Sequence, residues 1–140
     1  MFKSLLVPVD ILDPDTARPA LARAVALAEA SHGTVRLIYV RPLLPVTYME
    51  FVPPTLDDDQ QREAEEKLAA LAAGAALPKE RLSTCVRSGS IYNEVLEEVD
   101  RIGADLVVIG SHRPSMATYL LGSNASTIVR HAKCSVLVVR

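Results

Sequence analysis

A chain of 140 residues, 49% apolar and 23% charged, has the length and composition of one globular domain with a proper core and little room for a second. Its net charge of −2, with Arg and Lys scattered among Asp and Glu, excludes the dense basic surface that nucleic-acid binding requires. With no Trp and few aromatics, Leu, Val, Ile and Ala must build the interior, and Cys85 and Cys134 read as isolated buried thiols of a reducing cytoplasm, a disulfide between them being the alternative.

Met1 to Ser4 lead into an apolar run of five residues, Leu5 to Val9, which Asp10 stops. That run is too short for a signal peptide or a membrane span, so a cytoplasmic location and no membrane partner are expected. The run is continuous rather than alternating, which suits a strand from Ser4 to Val9 covered on both faces. Asp10 to Asp15, with Pro14, has turn composition. A helix follows over about 16–31, with Leu21, Val25 and Ala28 on one face. Pro19 is expected in its first turn, where no carbonyl partner is lost, and His32-Gly33 marks its end.

Thr34 to Val40 is the second buried strand. Arg41 to Leu56 holds four prolines with Tyr48, Met49 and Phe51, a long loop suited either to covering a ligand or partner surface or simply to anchoring itself. Asp57-Asp58-Asp59 opens the next helix, where the dipole favours negative charge. A more polar strand over 82–87 is expected toward a sheet edge. Ser90 is positioned to cap a helix whose apolar residues Ile91, Val95, Val99 and Ile102 keep a helical interval. Leu106 to Ile109 form the fourth strand, ending at Gly110; a short helix over 123–131 precedes the last strand, Ser135 to Val139. Alternation of this kind predicts an open, twisted, five-stranded parallel sheet with helices on both faces and right-handed crossovers, an α/β Rossmann-like single domain over 1–140.

In such sheets, ligands collect beyond the carboxyl ends of the strands, where strand order reverses. If the fourth strand lies beside the first, Pro8-Val9-Asp10 and Gly110-Ser111-His112-Arg113 line that crevice, and Gly122-Ser123-Asn124 opens the last helix beside it. Free amides at a helix start, with a glycine that admits close approach, form a natural phosphate seat. Taken singly, each glycine has a plain structural reading as a turn or cap. Their order at the correct strand ends points to a phosphate-bearing ligand.

The run from Gly110 through Leu121-Gly122-Ser123-Asn124-Ala125, continuing as Val129-Arg130-His131-Ala132-Lys133-Cys134 into the last strand, resembles the nucleotide loop, closing helix and closing strand of the universal stress protein family. Leu6 to Asp10 and Ala104 to Gly110 are similar to its first and fourth strands. His112-Arg113-Pro114, followed by Thr118-Tyr119-Leu120-Leu121-Gly122, is most similar to the F- and G-type branch. The resemblance covers essentially the whole chain and implies the adenine nucleotide alpha hydrolase-like form of the fold, with strand order 3-2-1-4-5.

It further implies that Pro8, Val9 and Asp10 border an adenosine, that Val40 meets the adenine, and that Ile109 and Gly110 lie under the ribose. His112 would stand beside the phosphates, with Gly122, Ser123, Asn124 and Ala125 holding them. The ligand implied is ATP, ADP or AMP, with Mg or Mn held by phosphate oxygens and water rather than by protein alone. The loop departs from the ATP-binding pattern: Arg113 stands where a middle glycine is expected, and eight residues rather than nine separate it from Gly122. Arg113 either meets phosphate through a charge-assisted contact or points into solvent.

No histidines fall at metal spacing, and His32 and His131 read as helix-end residues. Asp57 to Asp59 read as a solvated helix start. Ser111 and Ser123 lack the partners of a hydrolytic triad, and Asp10 lacks the acidic companions and the Lys of a phospho-acceptor receiver. Val136, Leu137, Val138 and Val139 at a sheet edge would need cover, which predicts a twofold homodimer; burial by the chain's own helices is the alternative. The expected function is a nucleotide-binding stress-response regulatory module with at most slow ATP hydrolysis or self-phosphorylation and a regulatory partner yet to be identified. The rival is a dimeric interaction module whose pocket no longer binds triphosphate.

Overall fold

The computed structural model describes residues 1–43, 55–110 and 123–140. The elements run β1 (Ser4–Pro8), α1 (Pro14–Ser31), β2 (Thr34–Arg41), α2 (Leu56–Ala73), a 3₁₀ turn (Lys79–Arg81), β3 (Leu82–Ser88), α3 (Ile91–Ile102), β4 (Leu106–Gly110), α4 (Ser123–His131) and β5 (Ser135–Val139). The five strands form one parallel sheet in the order β3-β2-β1-β4-β5, as expected. Most of the proline-rich loop, including Tyr48, Met49 and Phe51, lies outside the described residues, as does the segment with His112, Arg113 and Gly122.

Two cores sandwich the sheet because successive strand residues face opposite ways. Leu5, Val7 and Val9 of β1 join Leu21, Ala24 and Ala28 of α1 and Leu68 of α2 on one face. Leu6, Ile38 and Val40 join Val95 and Val99 of α3 and Ile128 of α4 on the other. Leu5, Leu6 and Leu37 are wholly buried, each worth about 1.5–3 kcal/mol relative to an exposed side chain. This two-sided burial is why β1 and β4 read as unbroken apolar runs.

Helix α1 begins earlier than its sequence suggests. Asp13 is its N-cap, accepting from the Thr16 amide at 3.4 Å and the Thr16 hydroxyl at 2.6 Å. Pro19 therefore stands beyond the first turn, inside the helix, where it forgoes the bond its amide would have made to Asp15. The helix ends as expected, but the left-handed residue is His32 (φ 55°) and not Gly33. Gly33 is required for a different reason: a Cβ there would stand 2.7 Å from the Phe2 carbonyl oxygen and 2.9 Å from that of Lys3. Ser90 occupies the N-cap of α3 without a side-chain capping bond; its carbonyl instead accepts the Glu94 amide at 3.0 Å.

The interior also holds a charge that the apolar pattern conceals. Glu98 on α3 has no exposed surface. Its Oε2 accepts from Arg36 of β2 at 2.6 Å, and its Oε1 accepts from Arg87 of β3 at 3.3 Å and from Arg101 one turn along α3. Burial pushes its carboxyl up, but hydrogen bonds from Arg36 and Arg101 and the charge of Arg87 outweigh this and hold it below the usual range.

Candidate functional site

The sheet opens at its switch point. Strand β1 pairs with β2 along its whole length, from Ser4–Thr34 to Pro8–Ile38, and the Val9 amide continues the ladder to the Ile38 carbonyl at 2.9 Å. Against β4 it registers only Leu5–Leu106 and Leu6–Val107. Both strands run on past that point, so Val7 to Val9 and Val108 to Gly110 form the walls of a split between β1 and β4. Splaying of this kind at the reversal of strand order is where parallel sheets admit ligands.

The described candidate residues cluster around this split. Pro8 and Val9 end its first wall, and Ile109 and Gly110 end its second. Val9 is packed into the first core, while Val40 and Ile109 are packed into the second. A molecule lodged here would therefore meet main chain and small groups rather than these side chains. Gly110 is registered with Val139 of β5 and lies against α1.

Asp10 is the half-buried polar group at the mouth. Its Oδ1 accepts the Leu12 amide at 2.9 Å and its carbonyl accepts the Asp13 amide at 3.1 Å, which folds the 10–13 segment into the turn that launches α1. Burial raises its carboxyl pKa; the Leu12 amide lowers it and the Asp13 charge raises it, leaving a net upward shift. Asp10 thus serves the turn directly and still presents a carboxylate at the crevice.

The last helix, α4, leads from the connecting segment into β5. The helix begins at Ser123, and Ile128, fully buried in the second core, anchors it. Asn124 and Ala125 are partly buried in its first turn. First-turn amides of a helix lack carbonyl partners within the helix, and the dipole favours an anion there. Gly122, Arg113 and His112, expected to complete this region, lie outside the described residues; the strand-end residues line the split, and Asn124 and Ala125 stand in the first turn of the helix that follows the connecting segment.

Sequence reading missed a neighbouring cavity of about 250 Å³ lined by Ile11, Leu12, Tyr39, Arg41, Ala64 and Lys67, among others. Tyr39 and Val40 are successive in β2, so this cavity lies on the α2 side of the sheet, away from the second core. Burial, then the Asp10 charge, raises the Tyr39 phenol pKa against the opposing influence of Arg41 and Lys67. Arg41 is engaged by Asp57 at 2.8 Å and Gln61 at 2.9 Å, so the cavity walls are tied to the start of α2. Among the described residues no group of three or more His, Cys, Asp or Glu could hold a metal ion, and no helix is long and apolar enough to cross a membrane.

At the far edge, β5 uses most of its apolar residues internally. Val136 packs on the second core, Leu137 on the first, and Val139 is buried. Val138 remains 41% exposed and Val129 of α4 53% exposed.

The model of the universal stress protein family matches residues 1–140. Universal stress protein G of Shigella flexneri is 38% identical over 143 residues, covering all of both chains. Among solved structures, a universal stress protein from Archaeoglobus fulgidus in complex with dAMP superposes with a TM-score of 0.71 at 19% identity, over 99% of this chain and 98% of the other. A universal stress protein in complex with cAMP superposes at 0.63 and 22% identity, over 99% and 97%.

Proposed function

The chain belongs to the universal stress protein family, and we propose that the split between β1 and β4 binds an adenine nucleotide, making the chain a ligand-sensing regulatory module. The observation that carries this reading is the two-pair β1–β4 ladder, which opens a main-chain-lined crevice at the reversal of strand order. Relatives of the same fold with cAMP or dAMP bound support the ligand class. In this reading Pro8, Val9 and Asp10 border the adenosine, and the main chain at Val40 meets the base. Ile109 and Gly110 underlie the ribose. His112, Arg113, Gly122, Ser123, Asn124 and Ala125 address the phosphates, with Mg or Mn carried by phosphate oxygens when ATP or ADP is bound.

The candidate general base is His112 of the connecting loop, outside the described residues; within the described crevice the Asp10 carboxylate has one oxygen committed to the Leu12 amide. In this reading the module performs at most slow ATP hydrolysis or self-phosphorylation. The edge strand β5 supplies the homodimer contact, centred on Val138.

A second reading, a dimeric interaction module with a lapsed pocket, draws on the shortened loop around Arg113. Equilibrium dialysis of the full chain with labelled ATP, ADP and AMP separates the two. Saturable binding of any of these supports the first reading; none at millimolar nucleotide supports the second.

A further inference from the structure

We propose that Arg36 and Arg87 form a second anion site, on the open α3-side face of β3, that takes a small dianionic oxyanion of the phosphate class. The site is independent of the strand-end crevice.

The argument begins with register. Arg36 is paired with Ser83, and Arg87 with Val40, so Arg36, Ser83, Cys85 and Arg87 project from the same face of neighbouring strands. Helix α3 packs across β2 and β1, whereas α2 covers the other face of β3. The α3-side row of β3 is consequently left accessible at its outer side: Ser83 is exposed and Cys85 only half-buried. The side chains of Arg36 and Arg87 retain 31% and 36% of their exposure.

Charge bookkeeping then shows a surplus. Three guanidinium groups, those of Arg36, Arg87 and Arg101, share the single carboxylate of Glu98. Arg101 also feels Glu97 and Glu94 on its own helix. Arg36 and Arg87 have only Glu98 as an ion-pair partner among the described residues. A third of each lies open on the shelf, while Arg62, Glu65 and Glu66 of α2 border the groove on the other side of Cys85 and Arg87.

Donor capacity points the same way. A guanidinium carries five N–H donors. Arg36 spends Nη1 on Glu98 and Nε on the Ser83 hydroxyl at 3.0 Å. Arg87 reaches Glu98 only through a long 3.3 Å contact from Nη2, and its Nε is buried with no acceptor. A buried N–H without an acceptor is unfavourable, and an acceptor brought to it is favoured. A small rotation about this weakly held guanidinium offers Nε and Nη together to a tetrahedral oxyanion, the fork geometry in which Arg binds phosphate. Glu98 then fixes the two guanidinium groups without neutralising both.

The test uses the full chain labelled with ¹⁵N. Inorganic phosphate replaces chloride at constant ionic strength, while the Nε–Hε signals of Arg36 and Arg87 and the amides of 83–88 are followed. The site predicts saturable shifts there, with Kd on the order of 1 mM, weakened at least tenfold in Arg87→Gln. Arg36→Gln reads the same loss should Arg87→Gln fail to fold. In Gly122→Val, which blocks the proposed nucleotide seat, the phosphate response at Arg87 should persist. O-phosphoserine binding more tightly than inorganic phosphate would assign the site to an esterified phosphoryl group, and the reverse order to the free ion. Shifts that do not saturate, or that are confined to 123–125 and vanish in Gly122→Val, overturn the proposal.

Discussion

Gly110, the last residue of β4, lies so close to α1 that a Cβ on it would stand 2.8 Å from the Thr16 carbonyl oxygen. The obstacle is main chain, held by the first turns of a helix whose Asp13 cap is in place, so it cannot rotate aside. The glycine at this wall of the crevice is thus explained by packing alone, before any ligand enters. Gly110→Ala should destabilise the fold by about 1–3 kcal/mol, the usual cost of forcing extra volume into a packed contact. Urea denaturation checks this. A loss of nucleotide affinity with no change in the unfolding midpoint would instead make the glycine's role one of ligand approach.

In the proposed function, nucleotide affinity turns on Gly122, which lies outside the described residues. Gly122→Val places a branched side chain immediately before the first turn of α4 and should abolish binding measured by calorimetry, with the fold intact by circular dichroism. Arg113→Ala discriminates further. If its guanidinium meets phosphate, ATP should weaken by about 1–3 kcal/mol while adenosine is unaffected; equal losses for both ligands would refute a phosphate role.

The fold was readable because its strands are apolar on both faces and its helices keep clear intervals. Leu5 to Val7 and Leu106 to Ile109 could only be central strands, and the polar pattern of Ser83 and Thr84 marked an edge. Less was legible where one residue serves an unusual geometry. Pro19 looked like a first-turn residue because the helix begins two residues earlier than expected, at Pro14, with Asp13 as its cap. Glu98 escaped notice entirely. In sequence it is half of a Glu97-Glu98 pair on an amphipathic helix and reads as solvated, and its partners Arg36 and Arg87 come from strands that the fold alone brings together. The one available signal was Arg36 itself, a lone charge in the apolar run from Val35 to Val40. The crevice was legible in outline, since strand ends and helix starts follow from element boundaries. The early end of the β1–β4 ladder was not, because splay depends on how two distant strands diverge.

The proposed dimer contact has a sharper focus than four apolar residues. Val136, Leu137 and Val139 are largely spent on the chain's own cores, so Val138, 41% exposed on the edge strand, is the residue a partner copy would bury. Val138→Glu should shift the protein from dimer to monomer in light scattering at micromolar concentration, through desolvation and like-charge opposition across a twofold axis. An unchanged dimer mass would move the interface away from β5.

Cys85 should be a sluggish nucleophile. Burial, followed by the nearby Glu98 carboxylate, pushes its thiol up to about 11 despite Arg87 and Arg36. At pH 8 only about one thiol in a thousand is then ionised, and the thiolate is the reacting form. In a Cys134→Ser background, iodoacetamide modification should be far slower than that of a free cysteine and should rise about tenfold per pH unit up to pH 10. A rate that levels off near pH 8.5 would contradict this.

The buried carboxylate sets the acid limit of stability. Its ordinary value is 4.5, and in the fold it is lower. The native state therefore binds fewer protons than the unfolded state in the interval between the two values, so stability rises with pH there and is lost as the solution is acidified. The contribution is fully present above about pH 4.5 and is lost as pH drops through the folded value. Glu98→Gln keeps the shape and an acceptor oxygen but removes the charge that the three guanidinium groups share. At pH 7 it should cost about 1.5–3 kcal/mol, the range for hydrogen bonds to charged groups, held below the figure for a fully buried pair because the arginines are partly exposed. Urea midpoints for the two proteins should converge as pH falls from about 5 to 3, since protonated Glu98 loses the advantage that Gln lacks throughout. A gap that stayed constant over that interval would mean that Glu98 titrates alike in the folded and unfolded chains.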